Sequence, residues 1–499
     1  MLSFNFRQVK SSATGLRRIS FVFAIIAIIC LSFADLSITT LTPWAELSAM
    51  GHGMLHPSVW SWTGLLKGLA NTLAFALQGV SAGALFGFLF SLVYRFRLVR
   101  LLCAFLRSVH ELFWALLLIQ IFGLSSLTGL LAIAIPYTGT LAKIYGEQYE
   151  ETDAAPRDAL TANKTLTLTQ FFYSVLPLAL PAMLAYTKYR LECGIRSSIV
   201  LGFIGLPTIG FHLDTALKQG NYSDASALIY TLIFIVFTLR WWLIKKLVPF
   251  YVVLAFVWIP PISTIDWNLA WQFFSRDLVP SPLRGLGTLS FWEWLQRLWA
   301  SQAFPGLINT IIVAQIALVI TGLIALTSLP LNSPVFFSGW RRYLGDGVLV
   351  TFRTLPEYLL NFVALLVLGP SMLPAIIALS VHNGAIIAHL LGRESETITL
   401  RDDAPKGFNL YFYEVVPRLY RRFLAYLFYR WEIIMRETAM LGILGIPTLG
   451  FFIDSAFESL YFDRALALIL IAAILNMAAD QLAHFLRTNQ HLRTSPESI

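Results

Sequence analysis

The chain has 499 residues, 57% of them hydrophobic and only 13% charged, with a formal charge of +8 and a mean hydropathy of +0.69. Soluble domains are about 25% charged, so this composition excludes an ordinary globular enzyme and places the chain in a bilayer. Its three cysteines, Cys30, Cys103 and Cys193, lie in apolar segments and exclude an extracytoplasmic disulfide framework.

Apolar runs of roughly 18–25 residues, the length that crosses about 30 Å of hydrocarbon as helix, recur along the sequence. The first, Ile19–Ile38, follows Arg7, Lys10, Arg17 and Arg18 and has no small-residue cleavage site. It reads as a retained span that starts in the cytoplasm. The stretch 42–61 has no Lys or Arg and is expected outside; Leu69–Tyr94 returns to an inside loop bearing Arg95, Arg97 and Arg100. Further spans are Ile229–Leu247, Leu307–Leu329, Val348–Leu368 and Ala465–Ala479. Basic residues cluster again in the loops around 143–170, 240–246, 341–342 and 393–422. This pattern is a topology signal, not a nucleic-acid footprint, and it puts both termini in the cytoplasm with an even number of spans.

The chain is a tandem duplication. "YRLECGIRSSIVLGFIGLPTIGF" at 189–211 and "YRWEIIMRETAMLGILGIPTLGF" at 429–451 share Tyr, Arg, Glu, Arg, Gly, Gly, Pro and Gly at a constant offset of 240. Gly68, Asn71 and Thr72 match Gly306, Asn309 and Thr310 at 238, and Arg107, Glu111 and Gly146 match Arg353, Glu357 and Gly392 at 246. The expected architecture is an all-α polytopic membrane protein. Its two parallel repeats, 1–246 and 247–499, each have about six transmembrane helices and flank a substrate path.

Three segments carry the chemistry. Thirteen residues separate Pro177 from Arg190, roughly 20 Å of helix, so Tyr189, Arg190, Glu192 and Arg196 lie deep in the membrane, as do Tyr429, Arg430, Glu432 and Arg436. Charges at that depth cost on the order of 2.5–3.5 kcal/mol each and must face protein or water. An internal ion pair locking two helices accounts for one copy; two copies suit a path for an oxyanion. In the second segment, Gly202, Gly205, Pro207 and Gly210, with Gly442, Gly445, Pro447 and Gly450, cannot continue a regular helix. They read as a helix-ending turn or as a gate, since irregular backbone at membrane depth must be buried or line a cavity. The third is the polar stretch 146–172 and its counterpart "RDDAPKGFNLYFYEVVP". Each reads as a solvated loop or as a slim helix that docks on a partner, with Asp158 and Ala159 in the first and Asp403, Ala404 and Gly407 in the second. His52 and His56 have no third ligand nearby, and no GxxxxGK[ST] stretch occurs.

"DALTANKTLTLTQFFYSVLP", the two YRxE…LG stretches, and "RSVHELFWALLL" with "RTLPEYLLNFVAL" resemble the inner-membrane permeases of binding-protein-dependent ABC importers, phosphonate type. The resemblance implies a type I importer fold and no enzymatic activity or bound cofactor of this chain's own. It also implies two cytoplasmic ATPase subunits holding ATP and Mg, docked through the EAA-like loops, an extracytoplasmic substrate-binding protein, and an inner-membrane location. The implied cargo is phosphonate or a related phosphorus oxyanion, phosphate or phosphite. Lys164 replaces the usual loop glycine, and the second loop is about six residues shorter, so the two couplings are expected to differ. An ion-coupled secondary transporter of a small anion would also use Glu192 and Glu432 but leaves the two loops unexplained, as does a non-transport scaffold.

Overall fold

The computed structural model describes residues 6–153, 155–156, 159, 167–244, 246–260, 266–285 and 290–490. Among these residues it contains helices and turns and no strand. The first repeat supplies α1 (Phe6–Leu31), α2 (Trp62–Leu92), α3 (Arg97–Ser108), α4 (Glu111–Phe122), α5 (Ser126–Glu150), α6 (Leu176–Gly202), α7 (Ile209–Lys218) and α8 (Tyr222–Trp242). The second supplies α9 (Val248–Trp258), α10 (Phe304–Ser328), α11 (Trp340–Thr354), α12 (Glu357–Leu368), α13 (Met372–Glu394), α14 (Val416–Leu441), α15 (Leu449–Glu458) and α16 (Phe462–Asn489).

Six helical stretches among the described residues are long and apolar enough to cross a bilayer, or nine if each bent pair counts once. The pairs α3–α4 and α11–α12 turn through 91° and 90°. The charges of α6 keep it out of that count, and α9 has only 11 residues.

Small residues set the closest packing. On α2, Gly79, Gly83 and Gly87 recur every fourth residue, and a β-carbon on Gly83 would come 2.8 Å from the Tyr137 β-carbon of α5. Gly79 meets Ile133 and Gly87 meets Leu141 in the same way. Both numbers rise together, so the two helices run parallel at near backbone contact, the route to affinity where lipid removes any hydrophobic drive between helices.

The chain folds as two compact units that cut across the sequence repeats: Ser48–Val279, here the N-unit, and Met1–Leu47 with Pro280–Ile499, the C-unit. The first helix of each repeat therefore completes the unit built from the other repeat. In the C-unit, Gln315 of α10 donates to the Phe23 carbonyl of α1 at 3.1 Å, Tyr420 and Ser20 hydroxyls lie 2.7 Å apart, and the Phe23 ring lies on Phe428 and Trp431. In the N-unit, Gln78 of α2, fully buried, donates to the carbonyls of Ala255 in α9 and of Ile259 just after it, at 2.8 and 2.6 Å. The outer face of α1, with Phe21, Ile28 and Ile29, is exposed, as a lipid-facing surface requires.

Candidate functional site

A five-residue π-helical turn precedes α6 and α14 at matching positions, Phe171–Val175 and Tyr411–Val415. Such turns widen a helix and recur at functional positions. In α6, the Arg190 guanidinium donates twice to the Tyr186 hydroxyl, at 2.9 and 2.6 Å, and its carbon lies 5.1 and 5.7 Å from the Tyr186 and Tyr189 ring centres. Arg190 is thus cradled by two aromatic faces of its own helix, which softens the cost of a half-buried cation. Glu192 and Arg196 are also half-buried, and Arg196 Nη2 lies 3.5 Å from Cys193 Sγ.

The neighbour of Arg196 makes the link to other helices. Ser197 donates to Glu111 of α4 at 2.7 Å and lies 3.3 Å from the Tyr137 hydroxyl of α5. His110 Nε2 stands 3.6 Å from the same carboxylate, while its Nδ1 accepts the Leu112 N–H at 3.2 Å and caps α4. In the C-unit the corresponding positions hold Glu437, Glu357 and Asn383. Asn383 donates to Glu437 at 3.4 Å, and His382 Nε2 is 3.4 Å from Glu357. Arg430 is buried, and Tyr429, Glu432 and Arg436 are half-buried. The sequence places the tyrosine and three charged positions of each repeat on one helix, as found. It did not single out Ser197, Glu437, Tyr137 or His382, because their partners come from helices distant in sequence; Glu111 and Glu357 stood out as matched positions whose less favourable order after Arg107 and Arg353 points to partners on other helices, without naming them.

The glycine stretches do break the helix. α6 ends at Gly202, Gly205 has φ +97° and Gly445 φ +91°, and α7 and α15 start after the extended Thr208 and Thr448. A methyl on Gly210 would overlap the Ile199 carbonyl oxygen, and one on Gly202 or Gly442 would overlap the turn that follows it. The start of α7 therefore lies directly on the last turn of α6.

Two side chains of α2 hold this turn. Asn71 donates to the Pro207 carbonyl at 2.7 Å, and Thr72 Oγ1 accepts the Ile209 N–H at 2.9 Å while donating to Gly68 at 2.7 Å. In the C-unit Asn309 donates to Pro447 at 2.7 Å and Thr310 accepts from Leu449 at 3.1 Å. Proline deprives the turn of a donor, and the clamp satisfies the carbonyl and amide that flank the break. The Asn-Thr pair was visible as a match at offset 238, and its role follows only from the packing. Thr72→Val leaves the Ile209 N–H without its acceptor and is expected to cost about 1–3 kcal/mol. Thermal unfolding of the solubilised chain should show a lower midpoint; an unchanged midpoint would mean that the clamp carries no energy. A cavity of about 290 Å³ opens beside it, lined by Lys67, Phe75, Leu124, Pro207 and Trp258.

The loop segments differ between repeats. Asp158 lies outside the described residues; Ala159 is helical and exposed. In the second copy the expected slim helix does not form: 398–406 is turn and irregular backbone, and only Phe408–Leu410 makes a helical turn after Gly407, whose φ is +65°. The shorter connection contains Pro405, and an ion-pair set fastens it instead. Buried Glu414 receives Arg401 from the loop, at 2.5 Å, and Arg418 from α14. Asp403 is exposed, 3.7 Å from Arg401 Nε, and Ala404 packs inward against the core around Leu410 and Leu419.

A duplicated helical membrane domain whose two copies each carry a broken, charge-bearing helix, clamped at the break, is the architecture of a transport permease. The comparisons agree. The family model described as "binding-protein-dependent transport system inner membrane component" matches residues 79–248. The "Phosphate-import permease protein PhnE" of Mycolicibacterium smegmatis is 24% identical over 425 residues, 78% of this chain and 77% of its own. The "Phosphite transport system permease protein PtxC" of Stutzerimonas stutzeri is 26% identical over 228 residues, 44% of this chain and 83% of its own. The "Putative cryptic phosphonate transport system permease protein PhnE2" of Escherichia coli is 32% identical over 104 residues, 21% of this chain and 85% of its own. No solved structure matches. The chain belongs to the family of binding-protein-dependent ABC importer permeases, as a fused duplication with the type I permease fold. Members of this family are membrane components that work with ATPase and substrate-binding partners.

Proposed function

We propose that this permease imports a small phosphorus oxyanion, phosphonate, phosphate or phosphite, along a path lined by Arg190 and Arg196 of α6 and Arg430 and Arg436 of α14. Tyr189, Glu192, Tyr429 and Glu432 share that path. The observation that carries the reading is the duplicated arginine set inside the helix that leads to the clamped glycine break. An arginine held by aromatic and hydroxyl groups offers an oxyanion N–H donors, and nearby glutamates keep binding weak enough for release. Relatives named for phosphate, phosphite and phosphonate transport point to the same cargo. The breaks at Gly202–Gly210 and Gly442–Gly450 act as the gate.

In this reading both termini are cytoplasmic in a bacterial inner membrane. Two ATPase subunits bind ATP and Mg and couple through Asp158 and Ala159 on one side and Asp403, Ala404 and Gly407 on the other. An extracytoplasmic protein delivers the anion. The test is uptake of labelled phosphate, phosphite and methylphosphonate by the complex reconstituted in vesicles. Uptake of at least one should require ATP and the binding protein and survive an uncoupler. Uptake that continues without ATP and collapses with the proton gradient would mean an ion-coupled carrier instead.

A further inference from the structure

The C-unit holds a cluster of titratable side chains that the transport reading leaves unused. His382 of α13, Glu357 of α12 and Glu437 of α14 meet inside the protein, with His382 and Glu437 0% and 6% exposed. His382 Nδ1 lies 3.2 Å from the Phe352 carbonyl oxygen, and its Nε2 lies 3.4 Å from Glu357 Oε2. Glu357 is the carboxylate that acts on Glu437, which receives Asn383 at Oε2, 3.4 Å away.

Counting protons along this chain is decisive. A carbonyl oxygen only accepts, so His382 Nδ1 carries a hydrogen. In a neutral ring Nε2 is then an acceptor, and it faces a carboxylate oxygen, also an acceptor, so a proton belongs between them. Glu437, 6% exposed and acted on by the Glu357 carboxylate, needs a second. With both in place the three groups are neutral overall; with neither, two carboxylates sit side by side in the protein interior, an arrangement like charges resist. The N-unit solves the same contact without extra protons. Glu111 takes a hydroxyl from Ser197, and His110, whose Nδ1 already accepts from Leu112, turns its Nε2–H toward Glu111. The presence of Glu437 where the first repeat has Ser197 makes the difference.

The charged groups that act on Glu437 are Glu357 from α12 and Arg430 and Arg436 from its own helix. α13 adds His382 and Asn383, and α10, packed against α14, has no charged residue. From α16, Arg487 lies over the Tyr429 ring, and α15 carries Asp454 and Glu458.

We propose that His382, Glu357 and Glu437 form a proton-binding site that sets how much positive charge Arg430 and Arg436 offer. Loaded, the site is neutral and the guanidinium groups are available to an oxyanion. Emptied as the pH rises, it leaves a buried Glu437 carboxylate that competes for both arginines. Only the link to an oxyanion rests on the function proposed above; proton binding stands without it.

The test has two arms on the full chain. Infrared difference spectra of the permease in lipid, acidic minus alkaline, should show a protonated-carboxyl C=O band that shifts in deuterium oxide and is lost in Glu437→Gln. Glu437→Ser, which installs the first repeat's residue, gives a second variant should the glutamine fail to fold. In vesicles with the ATPase and binding protein, wild-type phosphate or phosphonate uptake should fall about tenfold per pH unit for each proton lost above the midpoint, and either variant should remove that fall. Identical difference spectra for wild type and both variants would overturn the proposal. A band that vanishes in the variants while none of the oxyanions is transported would keep the proton site and remove the anion path.

Discussion

Gly210→Ala should leave little folded permease in the membrane. The added methyl would overlap the Ile199 carbonyl oxygen, an atom of the last turns of α6 that cannot swing aside as a side-chain end would. To make room, α7 must lift off α6, and the lift pulls Ile209 N–H from Thr72 and the Pro207 carbonyl from Asn71. Overpacking of this kind costs about 1–3 kcal/mol where the surroundings can yield; here one buried and one part-buried hydrogen bond, at about 1 kcal/mol each, are lost as well. The sum approaches the whole stability of a marginal domain, about 5–15 kcal/mol. Membrane yield and size-exclusion behaviour of Gly210→Ala read the outcome directly. Gly51→Ala is the control: a methyl there meets nothing within 4 Å, so its yield should match wild type. A normal yield for Gly210→Ala would mean that α6 and α7 do not pack at backbone contact.

Arg196→Ala combined with Arg436→Ala is expected to reduce oxyanion uptake at least about a hundredfold while the chain still inserts and co-purifies with its partners. Charge-assisted hydrogen bonds to an oxyanion are worth about 1.5–3 kcal/mol each, and two lost together account for that factor, since 1.4 kcal/mol is tenfold. Folding should tolerate the change better than transport does, since both side chains are only half-buried. Near-normal uptake by a correctly assembled double variant would take the arginines out of the path and leave them as structural partners of neighbouring carboxylates.

The features legible in the sequence were those coded locally. Proline and glycine at 202–210 and 442–450 fix a break through backbone sterics, and the constant offset of 240 reveals the duplication without any contact being known. That Arg190 and Arg430 each sit well inside one long helix followed from the spacing to Pro177 and Pro417. What escaped depends on which helices become neighbours. Glu111 and Ser197 are 86 residues apart, and neither has a local pattern that marks it as a partner of the other. The loop at 398–406 escaped for a different reason: its composition suits a slim helix, but Glu414 is drawn between Arg401 and Arg418, and that fastening overrides propensity. The exchange of α1 and α9 between units was invisible too, because an apolar helix that faces lipid carries no address for its protein-facing side.

That exchange has a consequence for biosynthesis. α1 leaves the ribosome long before its packing partner α10, which begins only at Phe304. At about 5–20 residues per second, α1 waits on the order of 15–60 s in the bilayer with its protein-facing stripe against lipid. A ribosome that stops between the repeats would release a chain in which α1 has lost its destination and α2 lacks the helix that Gln78 is built to hold. The two sequence repeats are thus joined by order of assembly as well as by a peptide bond: α1 has no partner until α10 is made, and Gln78 of α2 has none until α9 is made.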